Sequence, residues 1–154
     1  MIPTKAGSYI ALGLSVLLLA GCATGMSSAQ RQQLQQLTPS ERDKLGRETA
    51  KAASRQPNVH KSGEITIQSI DYRASDDTFV YRMRIHSLAN PNSLNRAQRS
   101  QFRNEVQRGF RRIICRDRTV GDMVRYGNYA VEVRVSTRNG AQLVSPVRIT
   151  KADC

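Results

Sequence analysis

Residues 79–86 read Phe-Val-Tyr-Arg-Met-Arg-Ile-His, and their period is two: Phe79, Tyr81, Met83 and Ile85 point one way, Val80, Arg82, Arg84 and His86 the other. This pattern predicts a strand with one face in an apolar core and one in water. Ser75-Asp76-Asp77 before it is a turn. Ahead of the turn, Ile65 and Ile67 fall on one face and Ile70 and Tyr72 on the other, so a bulge or slip is expected near Gln68. The two runs predict an antiparallel hairpin.

Downstream the period becomes helical. After a loop around Asn90-Pro91-Asn92, Asn95 caps a segment that carries Phe102, Val106, Phe110, Ile113 and Ile114 at three- and four-residue steps and ends close to Cys115. Arg96, Arg99, Arg103, Arg108, Arg111 and Arg112 occupy its other faces. Residues 119–124 predict one capped turn, Thr119 facing Asp122, with Val120, Met123 and Val124 to bury and Gly127 to end it. Tyr129, Val131, Val133 and Val135 then alternate with Ala130, Glu132, Arg134 and Ser136, and Asn139-Gly140 supplies the positive φ angles of a tight turn. The return strand places Leu143, Val147 and Ile149 inward, and Pro146, which has no N–H for a ladder, puts that strand at a sheet edge.

Upstream, Thr38-Pro39-Ser40-Glu41 combines a capping box with proline at the first helical position. The helix it opens runs to about Arg55, with Leu45, Ala52 and Ala53 as its buried stripe, and Pro57 stops it. The order helix, two strands, helix, two strands predicts an α+β fold: one antiparallel sheet of about four strands in two hairpins, helices packed on its apolar face.

Residues 1–21 have the parts of a secretory signal: Lys5, an apolar run over 10–19, and small residues before Cys22. The run is shorter than the roughly 20 apolar residues a membrane span needs. Leu19-Ala20-Gly21-Cys22 resembles the lipobox of bacterial lipoproteins, which implies that Cys22 is acylated and begins the mature chain. Ala23, where aspartate tends to retain enterobacterial lipoproteins in the inner membrane, implies the outer membrane. Residues 24–36 are small and polar, rich in Ser and Gln, and read as a tether whose far end can already be helical. The expected organisation is signal peptide 1–21, lipidated tether 22–37, and one domain over 38–154.

The full chain carries a formal net charge of +12; loss of Lys5 with the signal leaves +11. Export removes nucleic acid as the partner of such a charge and leaves acidic protein segments or anionic lipid headgroups. Besides Cys22, two cysteines remain, Cys115 and Cys154. In an oxidising compartment an even pair is most simply a disulfide, the alternative being two free thiols.

The sequence offers no catalytic constellation. His60 sits at a loop start and His86 on the polar face of a strand, neither beside a nucleophile. Asp76-Asp77 reads as a turn rather than an acid pair. No P-loop, dinucleotide fingerprint or zinc spacing occurs, so no enzyme, cofactor or metal is expected. Arg82 and Arg84, Arg134 and Arg148 all leave the sheet on its polar side. They form either an ordinary solvated face or a basic patch whose bidentate hydrogen bonds suit a carboxylate-rich segment.

Cys115-Arg116-Asp117-Arg118-Thr119-Val120, then Met123, Gly127, Tyr129, Asn139-Gly140 and Cys154, resemble the C-terminal half of the type II secretion pilotins of the AspS (GspS-beta) class. Lys61-Ser62-Gly63 is a further, weaker similarity. The high arginine content and the interval before Cys154 depart from that family. The resemblance implies a disulfide-bonded α+β lipoprotein of the outer membrane, its domain in the periplasm. The domain would bind the C-terminal segment of a secretin subunit and assist its assembly there. Candidate seats are a groove beside the helix of Phe102 and Arg103, an exposed sheet edge, or the patch of Arg82, Arg84, Arg134 and Arg148. Competing readings are a lipoprotein of another envelope machine (type IV, conjugation or type VI secretion) and a hydrolase inhibitor, which the +11 charge disfavours against basic lysozymes.

Overall fold

The computed structural model describes residues 25–55 and 64–154. The signal, Cys22, Pro57, His60 and Lys61-Ser62-Gly63 lie outside the described residues. The regular elements are α1 (Ser28–Gln36), α2 (Pro39–Ser54), β1 (Ile65–Arg73), β2 (Thr78–Ile85), α3 (Arg96–Arg116), α4 (Val120–Tyr126), β3 (Ala130–Thr137) and β4 (Val147–Ile149). One sheet holds the strands in the order β1-β2-β3-β4.

The first hairpin and its bulge are as expected. Pairing of β1 with β2 is antiparallel, and the register shifts between Ile67 and Ser69. The extra residue turns the alternation over, so Ile65 and Ile67, opposite Ile85 and Met83, share a face with Ile70 and Tyr72, opposite Tyr81 and Phe79. The second hairpin also forms. Of the Asn139-Gly140 pair only Gly140 takes a positive φ, +85°, and Asn139 does not, because glycine, with no Cβ, enters that region without strain; β4 pairs antiparallel with β3 at the edge after a break at Pro146.

The sheet as a whole is mixed, not antiparallel throughout. β2 and β3 run parallel, Phe79 beside Val131, Tyr81 beside Val133, Met83 beside Val135. Between them the chain passes through α3 and α4, and a helical crossover returns it to the end where β2 began. Each hairpin is legible from its own turn, whereas the direction in which one docks on the other depends on where that crossover lands.

The residues expected to be a tether differ more. Ser27 and Gln30 form a capping box, α1 follows, and its Leu34 is only 2% exposed within the core. One leucine in a run of Gln and Arg gives little periodicity, yet it suffices because α1 packs against α4. Arg31 also stacks on the Tyr126 ring, 4.3 Å from its centroid.

The four α-helices among the described residues contribute to one core on the apolar side of the sheet, around the buried Phe79, Val131, Val133, Met123 and Ile149. On α2 the inward residues are Leu45, Ala50 and, in part, Ala53, while Ala52 is exposed. On α3 only Ile114 is fully buried, and Ile113 is 63% exposed. Successive residues lie about 100° apart around a helix, so the two isoleucines cannot both face the sheet. Asp117, rather than Thr119, caps α4: its Oδ1 accepts from the backbone N–H of Thr119 at 2.8 Å and of Val120 at 2.6 Å. Cys115 and Cys154 are disulfide-bonded, with Cα atoms 5.3 Å apart.

α2 meets β1 where a side chain is missing. A Cβ on Gly46 would lie 2.3 Å from Cε2 of Tyr72. That ring crosses the helix backbone and packs 5.5 Å from Phe79, centroid to centroid. Its hydroxyl donates to Asp77 Oδ1 at 2.5 Å, and Arg42 Nε donates to Asp77 Oδ2 at 2.9 Å. Desolvation, then the bond to Asp77, pushes the Tyr72 phenol far above its ordinary range.

Two predictions follow the packing. Gly46→Ala should destabilise by about 2 kcal/mol or more through overpacking, while Gly109→Ala, where an added Cβ meets nothing within 4 Å, should stabilise by up to about 1 kcal/mol through helix propensity; thermal melts of the two variants decide it. Cys115→Ser opens a loop of sequence separation 39 and should cost about 4 kcal/mol, read as a denaturant midpoint.

Candidate functional site

Two surfaces compete, and their electrostatics differ. On the polar side of the sheet, Arg82 pairs with Asp71 at 3.0 Å, Arg134 with Glu132 at 2.6 Å, and Arg148 with Asp76 at 3.3 Å. Arg73, which the sequence reading did not single out, bridges Asp76 at 2.7 Å and Glu132 at 2.9 Å. Arg84 meets the amide of Gln68, whose oxygen, turned toward the guanidinium, accepts at 3.0 Å. The structure therefore does bring the four predicted sheet arginines onto one face, but three of them are already engaged with carboxylates. Val80, on the same side of the sheet, is 3% exposed although it lies outside the core cluster. A shallow depression of about 220 Å³ lies between Gln68, Arg82, Arg84, Arg134 and Gln142.

The pairing shows in the carboxyl groups. Hydrogen bonds from Arg73 hold the Asp76 carboxyl down at about 2 against its ordinary 3.8, and Arg73 likewise keeps Glu132 below the usual glutamate range in spite of its burial. Asp76 and Asp77, at the β1–β2 turn, work as ion-pair anchors on opposite sides of it.

The second surface is α3. Arg103 donates to the carbonyls of Ser145 at 3.3 Å and Pro146 at 3.1 Å, so its fork ties the helix to the segment before β4. Next to it, a depression of about 330 Å³ opens between Arg99, Ser100 and residues 143–145. Phe102, Val106, Gly109 and Ile113 follow one another at four-, three- and four-residue steps along one flank. Phe102 and Val106 pack partly on the core, Gly109 leaves open space, and Ile113 projects into water. Sequence reading placed Ile113 in the core and passed over Gly109, because a mid-helix glycine signals a function only when nothing fills the place of its side chain.

His86 lies exposed, its Nε2 2.8 Å from the hydroxyl of Thr66. Among the described residues, no group of three His, Cys, Asp or Glu is placed to hold a metal ion, and no helix is long and apolar enough to cross a membrane.

The sequence matches no family model and no curated protein. The fold does have solved counterparts. The pilotin AspS of the Vibrio cholerae type II secretion system superposes with a TM-score of 0.53 at 15% identity, over 82% of this chain and 97% of that one. The pilotin EpsS of the Vibrio vulnificus system gives 0.57 at 13% identity, over 75% and 94%. The fold is that of type II secretion pilotins. A Pseudomonas aeruginosa protein classed as secreted shares this pilotin fold, with a TM-score of 0.57 at 10% identity over 75% and 95%. The superposed part amounts to 75–82% of this chain in the two pilotins.

The acid limb of stability should report the sheet network. Asp76 and Glu132 have depressed folded values, so the stability they contribute is complete above the ordinary carboxylate range and is lost as pH falls through the folded values. The Tm gap between the wild type and Asp76→Asn should be constant above 3.8 and close as pH approaches about 2; a gap still open at the acid end would contradict the assignment.

Proposed function

We propose that this protein is a pilotin: a lipoprotein acylated at Cys22 whose periplasmic domain binds the C-terminal segment of a secretin subunit and assists the subunit's targeting and assembly in the outer membrane. The carrying observation is the fold, shared over 75–82% of this chain with two type II secretion pilotins. The lipobox at Leu19-Ala20-Gly21-Cys22, the disulfide from Cys115 to Cys154 and the lack of a catalytic arrangement in the sequence support the same reading. Such a task needs an anchor, a rigid domain and a peptide seat.

The α3 flank is the better seat. Arg82, Arg148 and Arg134 are paired with Asp71, Asp76 and Glu132, so an incoming carboxylate would first have to displace those partners. The flank of Phe102, Val106, Gly109 and Ile113 instead offers partly exposed apolar surface and, at Gly109, room for close approach. An amphipathic secretin segment with apolar residues at helical spacing fits it. Acidic residues at the segment's border would meet Arg99.

Cys22→Ser should leave a folded but unanchored domain, and envelope fractionation should find the secretin outside the outer membrane; a secretin that reaches it normally would contradict the proposal. Ile113→Glu should weaken binding of the secretin C-terminal peptide by about tenfold or more, with Tm unchanged because Ile113 is 63% exposed. Unaltered affinity would move the seat off α3.

A further inference from the structure

The C-terminal half of α3 carries Arg108, Arg111, Arg112 and Arg116, and Arg118 follows two residues on. All five are exposed. Arg108, Arg111, Arg112 and Arg116 rim one shallow depression of about 360 Å³ with Cys115, Asp153 and Cys154. Arg111 donates to the backbone carbonyl of Asp153 at 2.6 Å. Arg108, Arg112 and Arg116 have no carboxylate partner among the described residues, in contrast to the sheet arginines.

The carboxylates near by are turned to internal work. Asp117 caps α4. Asp153 accepts from the N–H and hydroxyl of Thr150 at 2.7 and 3.0 Å. Asp122, 3% exposed, is held by Arg125. Glu105, one turn before Arg108, is engaged by Gln101 at 3.1 Å.

The same end of the molecule receives the first described residues, Gly25 and Met26. Met26 N–H donates to Asp122 Oδ2 at 3.3 Å, and a Cβ on Gly25 would lie 4.0 Å from Cδ of Arg118. Cys22 precedes Gly25 by three residues, a reach of about 10 Å at full extension. A lipid on Cys22 therefore cannot stand far from the arginine end of α3.

We infer that Arg108, Arg111, Arg112, Arg116 and Arg118 form a membrane-facing surface that binds the phosphate groups of anionic phospholipids, so that the short leash and the basic face together fix how the domain sits on the bilayer. This rests on lipidation of Cys22, as in the proposed function, and adds an orientation to it. Guanidinium forks suit phosphate oxygens, and positive charge held within a Debye length of an anionic surface is attracted strongly. A flexible chain with the lipid as its sole contact would need no such match between the anchor's point of entry and the charge.

The test uses the chain from Ala23, which retains every core residue and the disulfide but has no acyl group, in co-sedimentation with phosphatidylcholine vesicles with and without phosphatidylglycerol. Binding should appear only with phosphatidylglycerol and weaken with added salt. The triple variant Arg108→Gln, Arg112→Gln, Arg116→Gln should lose on the order of a hundredfold in partitioning, since each surface arginine contributes about fivefold. Arg82→Gln, Arg84→Gln, Arg134→Gln removes the same formal charge from the sheet and should lose far less. Equal losses in the two variants would reduce the effect to net charge and overturn the inference, as would binding to neutral vesicles or none at all. If the α3 variant instead loses the secretin peptide and keeps the vesicles, the basic face is a protein seat. Secretin localisation in the Cys22→Ser strain is a separate readout, so failure on vesicles leaves the pilotin reading to its own test.

Discussion

The bond between Cys115 and Cys154 joins the last turn of the crossover helix to the chain just beyond the edge strand β4. Those two elements enclose the β3 side of the core, and the helix that the bond fixes also carries both candidate working surfaces. In the chain-entropy picture such a closure stabilises by about 4 kcal/mol, a large share of the total for a domain of this size. Around it, Asp117 starts α4 immediately after α3 ends, and Arg125 reaches back to the Cys115 carbonyl and to Asp122. Met26 then hangs on Asp122, so the first described residues are tied to the same corner.

The other side of the core has its own lock. Tyr72, Asp77, Arg42 and the vacancy at Gly46 hold α2 on β1, and Tyr129 donates to the Arg42 carbonyl at 3.0 Å. Each end of the sheet is thus stapled to a helix through a few specific contacts. That leaves the outward side of α3 free of structural duties except at Arg103 and Arg111, whose guanidinium groups are spent on backbone carbonyls.

Much of this was legible before the structure. Alternation gave the inward residues of β2 and β3, the conflict between Ile67 and Ile70 announced the bulge, and Asn139-Gly140 gave the second turn, because each of these is decided by neighbours in sequence. The parallel pairing of β2 with β3 was not legible, since it depends on the path of a crossover and not on either strand. Nor was the docking of α1 in the core: its one core leucine carries no period. The sheet arginines show a different limit. Their side of the sheet follows from alternation, but their pairing with Asp71, Asp76 and Glu132 depends on cross-strand register, and it turns an inviting basic patch into a mostly neutralised one. For α3, sequence gave the amphipathic face and missed the exposed flank, because Ile113 and Ile114 look equivalent until one of them meets the sheet.

Three surfaces are proposed to have separate tasks: a sheet face that pairs most of its own charges, an apolar α3 flank that would seat a partner, and an arginine end that would lie beside a lipidated Cys22. The division rests on the pilotin reading, and that reading is tested most directly by capture. With the unacylated chain from Ala23 as bait in an envelope extract, the account predicts recovery of a secretin, abolished when the secretin lacks its C-terminal segment. Recovery of a conjugation or type VI component in its place, or of a secretin indifferent to that truncation, would contradict it.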